Sequence, residues 1–489
     1  MSETLNLKLF NTLSKKIETF VPIDPPQVGF YACGPTVYDY THLGHLRRYT
    51  MDDVLVRLLR SLAFQVKFVQ NVTDVGHLSS DADTGEDKLE KGAKKYQQSV
   101  WQIAAKFEEY FFRSNDRMGN LRPDISCRAT DHIQEQIELV KTLESKGVTY
   151  VIPNDGVYFD TSQLADYGKL ASQKLDQLLA GARVEVVAGK RQATDFALWK
   201  FEKPGENRAM SWPSPWSEKG FPGWHLECSA MSQKYLGDQF DIHTGGVDHI
   251  AVHHTNEIAQ SETATGKKPF VRFWLHHNVM MIDGQKMSKS LNNFYTIDDV
   301  VKKGFHPRAL RLLFMTAHYR SELNFTWENL AGMQSAYEKL LKEINHWQAT
   351  SEKVSATILS AQAKDFKQAF WQHLANDLDT PQALAVVWQM VKADLSAGEK
   401  LYLIEDFEQI LQLDLVNAEQ ILAGLNQKQE LRLEQLPKNV QELVAARAAA
   451  RAEKNYQLAD QLRQALAQLG YRILDQAKKQ KVIYDKKNS

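Results

Sequence analysis

His42-Leu43-Gly44-His45 stands between a strand-like run, Val28-Gly29-Phe30-Tyr31-Ala32-Cys33, and a helix-like stretch reaching about residue 62. Gly34-Pro35-Thr36 breaks the strand. Apolar residues at Leu46, Val54, Leu55, Leu58, Leu59 and Leu62 then recur at helical spacing. Residues 65–72 read as a second strand, with Val66, Phe68 and Val72 on one face. Strand, helix and strand make the unit from which parallel sheets are built. The unit has no Gly-x-Gly-x-x-Gly, so it is not a dinucleotide fold of the dehydrogenase kind. A helix starting at Gly44-His45 offers unpaired N–H groups and a positive dipole end to phosphate oxygens, and the imidazoles of His42 and His45 add donors. Far downstream, Lys286-Met287-Ser288-Lys289-Ser290 puts two ammonium groups on a loop able to close over a polyphosphate.

At 489 residues the chain exceeds one hydrophobic core, and about three domains are expected. Hydrophobic residues at 43% and charged residues at 24% fit a soluble globular protein. No apolar run reaches membrane-span length, and Met1-Ser2-Glu3-Thr4-Leu5-Asn6-Leu7-Lys8 lacks the pattern of a secretory signal. Three cysteines, Cys33, Cys127 and Cys228, argue against a disulfide framework and for a reducing compartment. A cytoplasmic protein is expected. The net charge of −1 does not advertise nucleic-acid binding, but residues 441–489 hold ten Lys/Arg against five Asp/Glu. That basic end suits a phosphate contact or a solvated terminus equally well.

The rest of the chain alternates in kind. Residues 79–95 are polar and read as a loop entering a helix. A helix near 133–146 and short strands near Tyr150 and Val157 suggest an insertion, which ends at Trp212-Pro213-Ser214-Pro215-Trp216. Phe240-Asp241-Ile242-His243 reads as a strand entering Thr244-Gly245-Gly246, followed by a helix over about 252–265. Residues 272–282 read as one more strand, turning at Asp283-Gly284. Beyond Trp327 the pattern is helical, with runs at 330–344, 369–374, 381–391, 401–413 and 445–469.

Cys33 ends the first strand, Cys228 lies in Gly223-Trp224-His225-Leu226-Glu227-Cys228, and His253 and Glu257 sit four apart on one helical face. Two thiolates, an imidazole and a carboxylate form a zinc-compatible set. Taken by residue type alone, buried apolar cysteines and a helix-surface His/Glu pair explain the same positions.

The ordered pair of motifs resembles the signatures of class I aminoacyl-tRNA synthetases. Three longer strings resemble the cysteinyl-tRNA synthetase family: Tyr31-Ala32-Cys33-Gly34-Pro35-Thr36-Val37-Tyr38-Asp39, Pro222-Gly223-Trp224-His225-Leu226-Glu227-Cys228-Ser229-Ala230-Met231 and His253-His254-Thr255-Asn256-Glu257-Ile258-Ala259-Gln260. The likeness runs from Leu7 to about Leu474 and includes Asn376-Asp377-Leu378-Asp379-Thr380-Pro381. It implies an α/β architecture: a Rossmann-like parallel-sheet nucleotide-binding catalytic domain with an insertion, then a mostly α-helical C-terminal region. The expected divisions are 1–128 and 216–270 for the two catalytic halves and 129–215 for the insertion. A KMSKS-bearing stem-contact region is expected at 271–328, a helical bundle at 329–413 and a C-terminal tRNA (anticodon) binding domain at 414–489.

The resemblance also implies site residues and ligands. One Zn²⁺ per chain would be held by Cys33, Cys228, His253 and Glu257. His42, His45, Lys286 and Lys289 would stabilise the reacting phosphates of ATP-Mg²⁺. Lys289, Gly245, Gly246 and Asp248 would bind ATP, with Asp248 near the ribose, and Gly34, Thr73, Trp224 and His243 would line the substrate pocket. The implied partners are tRNA(Cys), L-cysteine and ATP, with no membrane, and a monomer is expected. The implied chemistry joins cysteine to AMP and then to the 3′ end of tRNA. Zinc would select the thiolate over the hydroxyl of serine, a distinction that shape alone makes poorly.

The chain departs from the family after Asn71-Val72-Thr73-Asp74, where the commoner form has a further acidic pair and this one has Val75-Gly76-His77-Leu78. No role carries over past Asp74. His77 reads as a surface histidine more than as a spare metal ligand, His254, His276 and His277 as local hydrogen-bonding residues, and Cys127 as a bystander. Two rivals are a cysteine ligase acting on an amino sugar, which lacks the far C-terminal domain, and a silent tRNA-binding paralogue, which would lose a signature residue.

Overall fold

In a computed structural model of the chain, the described residues are 5–77, 87–171, 188–203, 205–288, 291, 293–351, 359–431, 436–476 and 479–484. Two compact units emerge, 1–337 with 352–413 and 338–351 with 414–489.

The first unit is organised by a parallel sheet. Its strands are β1 (Gln27–Ala32), β2 (Gln65–Val72), β3 (Ile125–Arg128), β4 (Phe240–Gly246) and β5 (Val271–His277), in the order β5-β4-β1-β2-β3. Helices cover both faces, so the middle strands are buried on both sides: β2 is continuously buried from Phe68 to Val72. Phe30, Tyr31 and Ala32 pair with Phe68, Val69 and Gln70 on one side and with Ile242, His243 and Thr244 on the other. The order of the strands reverses between β1 and β4. Ligands bind in open α/β sheets outside the carboxyl ends of the strands at such a point.

Helix α1 (Leu43–Ser61) joins β1 to β2, and α2 (Val100–Met118) precedes β3 behind a Ser99/Gln102 capping box. Helix α3 (Ile133–Ser145) leads into the insertion, while α4 (Trp224–Leu236) and α5 (His253–Thr265) flank β4. The insertion forms an antiparallel sheet in the order Thr149–Ile152, Gly156–Phe159, Phe196–Phe201, Ser217–Pro222, Trp212–Ser214. Its core is Val157, Phe159, Phe196, Leu198 and Trp199. Ser217–Pro222 still belongs to this sheet, so the chain returns to the parallel sheet at Trp224, later than the expected 216.

The strand expected over 272–282 is two. After β5 ends at His277, Met280–Ile282 joins a separate sheet with Gln285–Lys286 and Leu323–Phe325. The break is satisfied by Arg47 of α1. Its guanidinium donates to the carbonyls of Asn278 and Val279, both at 3.0 Å, His318 at 3.1 Å and Ser321 at 2.6 Å. An N-terminal hairpin, Lys8–Asn11 with Lys16–Thr19, is tied down by Asp377, whose carboxylate accepts from Phe10 N at 2.8 Å and Tyr319 OH at 2.7 Å.

Helices Ala361–Ala375, Thr380–Lys392 and Ala397–Leu411 complete the first unit, with Phe370 stacked on Phe407 at 4.0 Å. In the second unit, the helix expected over 445–469 is two helices, Lys438–Ala452 and Tyr456–Gln468. Lys454 adopts φ +60° between them, and Asn455 caps the second helix by accepting from Leu458 N at 3.2 Å. The second unit also holds a small sheet, Glu430–Leu431, Lys479–Tyr484, Tyr471–Gln476, that the helical periodicity did not announce. No helix among the described residues is long and apolar enough to cross a membrane.

Arg311, on the helix Pro307–Met315, joins α1 to the end of the helix Ala397–Leu411. It is fully buried and donates to Asp53 of α1 at 2.6 Å, to Asn120 at 2.7 Å and to the carbonyls of Leu411 at 2.6 Å and Ile410 at 3.1 Å. Truncating one partner of a buried ion pair strands the other charge. Arg311→Met is therefore expected to lower the unfolding free energy by about 3 kcal/mol or more, read by denaturant titration.

Candidate active site and metal centre

His42 is the N-cap of α1: it has extended backbone angles, and its Nδ1 accepts from His45 N at 3.2 Å. The His42 and His45 rings stack at 3.6 Å, forming a paired imidazole face at the helix N-terminus. Leu43 N donates to Tyr295 O at 2.9 Å, and His42 bridges to Thr296. The helix start is thereby bonded to the segment just past the Lys286–Ser290 loop. A Cβ added at Gly44 would lie 3.1 Å from the His42 ring and 3.9 Å from Met287 Cε, so the two motifs face each other. Lys286 is an exposed residue of the Gln285–Lys286 strand. Asn293 braces the loop, donating to Lys286 O at 3.0 Å and accepting from Ser288 N at 2.7 Å. Lys289 and Ser290 lie outside the described residues.

Cys33, at the exit of β1, Cys228 on α4, and His253 and Glu257 on α5 converge. One donor atom from each lies within 4.8 Å of the others, and all four residues are buried. His243 and His254 form an overlapping group with Cys33 and Glu257. His254 is thus more than a local hydrogen-bonding residue. Its Nε2 lies 3.2 Å from Cys33 Sγ, while its Nδ1 meets His276 Nε2 at 2.8 Å, and His276 in turn reaches Thr12 Oγ1 at 2.8 Å. His277 points elsewhere, to Asp52 at 2.9 Å. His243 stacks on Trp274 at 4.7 Å and bonds Glu257 Oε2 at 2.9 Å.

The charges in this cluster are set by its members. Burial raises both thiols, but donation from Cys228 and the nearby His254 and His243 pull Cys33 well below the ordinary thiol range. Cys228, holding the proton beside that thiolate, is pushed well up. Burial would depress His253, yet the Glu257 carboxylate, 3.0 Å away, carries it up to about 10. Burial would raise Glu257, and His243 and His253 hold it below its usual value instead. Glu257 Oε1 is buried without a hydrogen bond of ordinary geometry. A cation at this point would displace the His253 proton and satisfy that oxygen, and the donor set of two sulfurs, one nitrogen and one oxygen fits a thiophilic ion.

The remaining expected residues fall around this cluster. Trp224 opens α4, with its ring 4.5 Å from that of His253 and Lys88 Nζ at 5.4 Å. Gly34 is required: a Cβ there would come within 1.5 Å of Asn71 O. Thr73 donates to Glu227 at 2.7 Å and is buried. Gly245 and Gly246 end β4; a Cβ on Gly245 would reach 2.4 Å from the His254 ring, and one on Gly246 would reach 2.1 Å from Asp248 Oδ1. Asp248 itself is 76% exposed, at the rim. Sequence reasoning missed Arg48, whose guanidinium donates to the Cys33 carbonyl, and Asn293. It also misread His77, which is buried against Glu227 and does not lie on the surface. Cys127 is buried and 3.6 Å from Gln70 O. All three cysteines are free.

A family model for the catalytic domain of class I (C) tRNA synthetases matches residues 19–335, and one for the cysteinyl-tRNA ligase anticodon binding domain matches residues 433–482. Cysteine–tRNA ligase 1 of Burkholderia lata is 44% identical over 478 residues, covering 98% of this chain and 97% of that protein. The cysteine–tRNA ligase of Treponema denticola is 41% identical over 493 residues, covering 97% and 99%. Among solved structures, methionyl-tRNA synthetase of Mycobacterium tuberculosis bound by methionyl-adenylate aligns with a TM-score of 0.54 at 14% identity, covering 84% of this chain and 95% of that one. A LeuRS–tRNA complex of Agrobacterium radiobacter K84 aligns at 0.58 and 12% identity, covering 82% and 86%. These two share the fold. By sequence, the chain belongs to the cysteinyl-tRNA synthetase family of class I aminoacyl-tRNA synthetases.

Proposed function

We propose that the chain uses ATP-Mg²⁺ to activate L-cysteine as cysteinyl-adenylate and transfers the cysteinyl group to the 3′ end of tRNA(Cys). The observation that carries this reading is the convergence of Cys33, Cys228, His253 and Glu257 beside the His42–His45 helix start, at the switch point of the sheet. Zinc held by those four residues would supply thiophilic binding of the substrate as a thiolate, for which the serine hydroxyl is a far poorer match.

The chain's own residues do the rest by position and charge. The cysteine carboxylate forms a bond to the α-phosphorus as the bond to the leaving pyrophosphate breaks. His42, His45 and the α1 N-terminus donate to the phosphate oxygens, and Lys286 and Lys289 neutralise the charge that collects on pyrophosphate. Gly245 and Gly246 let the adenosine approach the backbone, with Asp248 accepting from the ribose. Gly34, Thr73, Trp224 and His243 surround the amino acid. The terminal adenosine hydroxyl of tRNA then attacks the carbonyl and AMP leaves. Residues 414–489, with their basic excess, contact the anticodon end. Three free buried cysteines suit the cytoplasm.

The direct test is incubation with ATP-Mg²⁺, labelled cysteine and total tRNA. Acid-precipitable label is expected; pyrophosphate exchange without label in tRNA would instead point to an acceptor other than tRNA. Cys228→Ser keeps shape but loses a sulfur ligand. The dialysed variant is expected to bind zinc at least about tenfold more weakly and to activate serine relative to cysteine more readily. Asn293→Ala removes the bonds to Lys286 and Ser288 and is expected to slow ATP–pyrophosphate exchange roughly 10- to 100-fold with the cysteine KM little changed. Lys289→Ala is expected to slow adenylate formation more than it weakens cysteine binding.

A further inference from the structure

A chain of buried hydrogen bonds links the neighbours of the two thiols. Gly34, next to Cys33, donates its N–H to Asn71 Oδ1 at 2.6 Å. Asn71 Nδ2 donates to Thr73 Oγ1 at 3.1 Å, and Thr73 Oγ1 donates to Glu227 Oε2 at 2.7 Å. Glu227, next to Cys228, accepts on its other oxygen from His77 Nε2. Every donor from Gly34 onward points toward Glu227, so the hydrogens have one arrangement. The side chains are almost wholly removed from water, with Glu227 at 0%, Asn71 and Thr73 at 2% and His77 at 5% exposure.

We propose that His77 is a positioning residue of the active site: through Glu227 and Thr73 it fixes the separation of Cys33 and Cys228, and thereby the affinity for the metal and the grip on the substrate thiolate. This inference rests on the zinc reading above. A tetrahedral zinc with Zn–S bonds of about 2.3 Å holds two sulfurs about 3.8 Å apart. Cys33 is set by the end of β1 and Cys228 by a helix, and the buried Glu227 carboxylate ties the segments that carry them. A buried carboxylate left short of a donor is costly, so α4 stays where Glu227 reaches both Thr73 and His77. Outer partners of this kind orient the atoms that touch a metal.

His77 is itself held independently of its ring. Its carbonyl accepts from Lys88 N at 2.9 Å, and Arg208 spans the adjacent Gly76 carbonyl, at 2.7 Å, and the Asp87 carboxylate, with its guanidinium 3.7 Å over the Phe221 ring. Changing the imidazole therefore leaves its backbone anchored.

The test compares full-length wild type, His77→Ala, His77→Gln and Thr73→Val. Zinc affinity is measured by competition with a chromophoric chelator, KM values by ATP–pyrophosphate exchange, and folding by thermal melting. His77→Ala and Thr73→Val are expected to bind zinc about 10- to 100-fold more weakly, with a raised KM for cysteine and an unchanged KM for ATP. His77→Gln keeps an N–H in reach of Glu227 and is expected to recover most of the loss. Wild-type zinc affinity in His77→Ala, or an equal loss in the alanine and glutamine variants, would overturn the positioning role. Wild-type protein that holds no zinc would instead remove the metal reading beneath it.

Discussion

The parallel pairing of Phe30, Tyr31 and Ala32 with Ile242, His243 and Thr244 is the constraint on which the site depends. Chain segments separated by some two hundred residues become adjacent strands there, and their connections leave in opposite directions. The crevice that results receives Cys33 and the α1 start from one side, and Gly245, Gly246 and α5 from the other. Helix α4, which runs into β4, brings Cys228 and Trp224 to the same end. No single loop could supply two sulfurs, an imidazole and a carboxylate in one buried cluster together with a helix N-terminus open to phosphate. The sheet does so because parallel strands carry their exits to a common edge.

Two kinds of bond then hold this edge in register with the rest of the first unit. A backbone bond from Leu43 to Tyr295 ties the helix start to the segment just past the Lys286–Ser290 loop, and the Asn293 side chain bonds Lys286 and Ser288. Buried charge does the longer-range work. Arg47 closes off carbonyls where β5 gives way to the next sheet, and Arg311 fastens α1 to helix ends that follow a hundred residues later. Arginine suits both places, since its planar fork satisfies several carbonyl and carboxylate acceptors at once.

Much of this was legible in the sequence, for physical reasons. β1 was marked by an apolar run ending at Gly34-Pro35, β2 by Val66, Phe68 and Val72 on one face, and β4 by Phe240-Asp241-Ile242-His243 entering Thr244-Gly245-Gly246. The two signature strings were readable because a helix start and a pair of closely spaced lysines are local features of the chain. The four converging donors could be named as a zinc-compatible set by type, but only resemblance favoured that reading over buried apolar cysteines and a helix-surface pair. As residue types they are two small buried side chains and a helical pair, and nothing in their spacing says that they meet. The polar scaffold behind them was not legible at all: Glu227 and His77 are 150 residues apart, and each alone reads as a surface residue. The break in the helix expected over 445–469 was missed because Lys454 is a good helix former, and only its left-handed backbone and the Asn455 cap reveal the turn. Short strands such as Gln285–Lys286 and Glu430–Leu431 are too brief for any period to show.

A zinc ion held by Cys33, Cys228, His253 and Glu257 would take the substrate cysteine directly as a thiolate. Zinc K-edge X-ray absorption on the zinc-loaded protein, taken free, with cysteine and with serine, reads the number of sulfur neighbours at the ion. Two sulfurs from the protein should become three with cysteine and stay two with serine. An unchanged sulfur count with saturating cysteine would contradict the claim and leave the metal as a structural tie among strand exits.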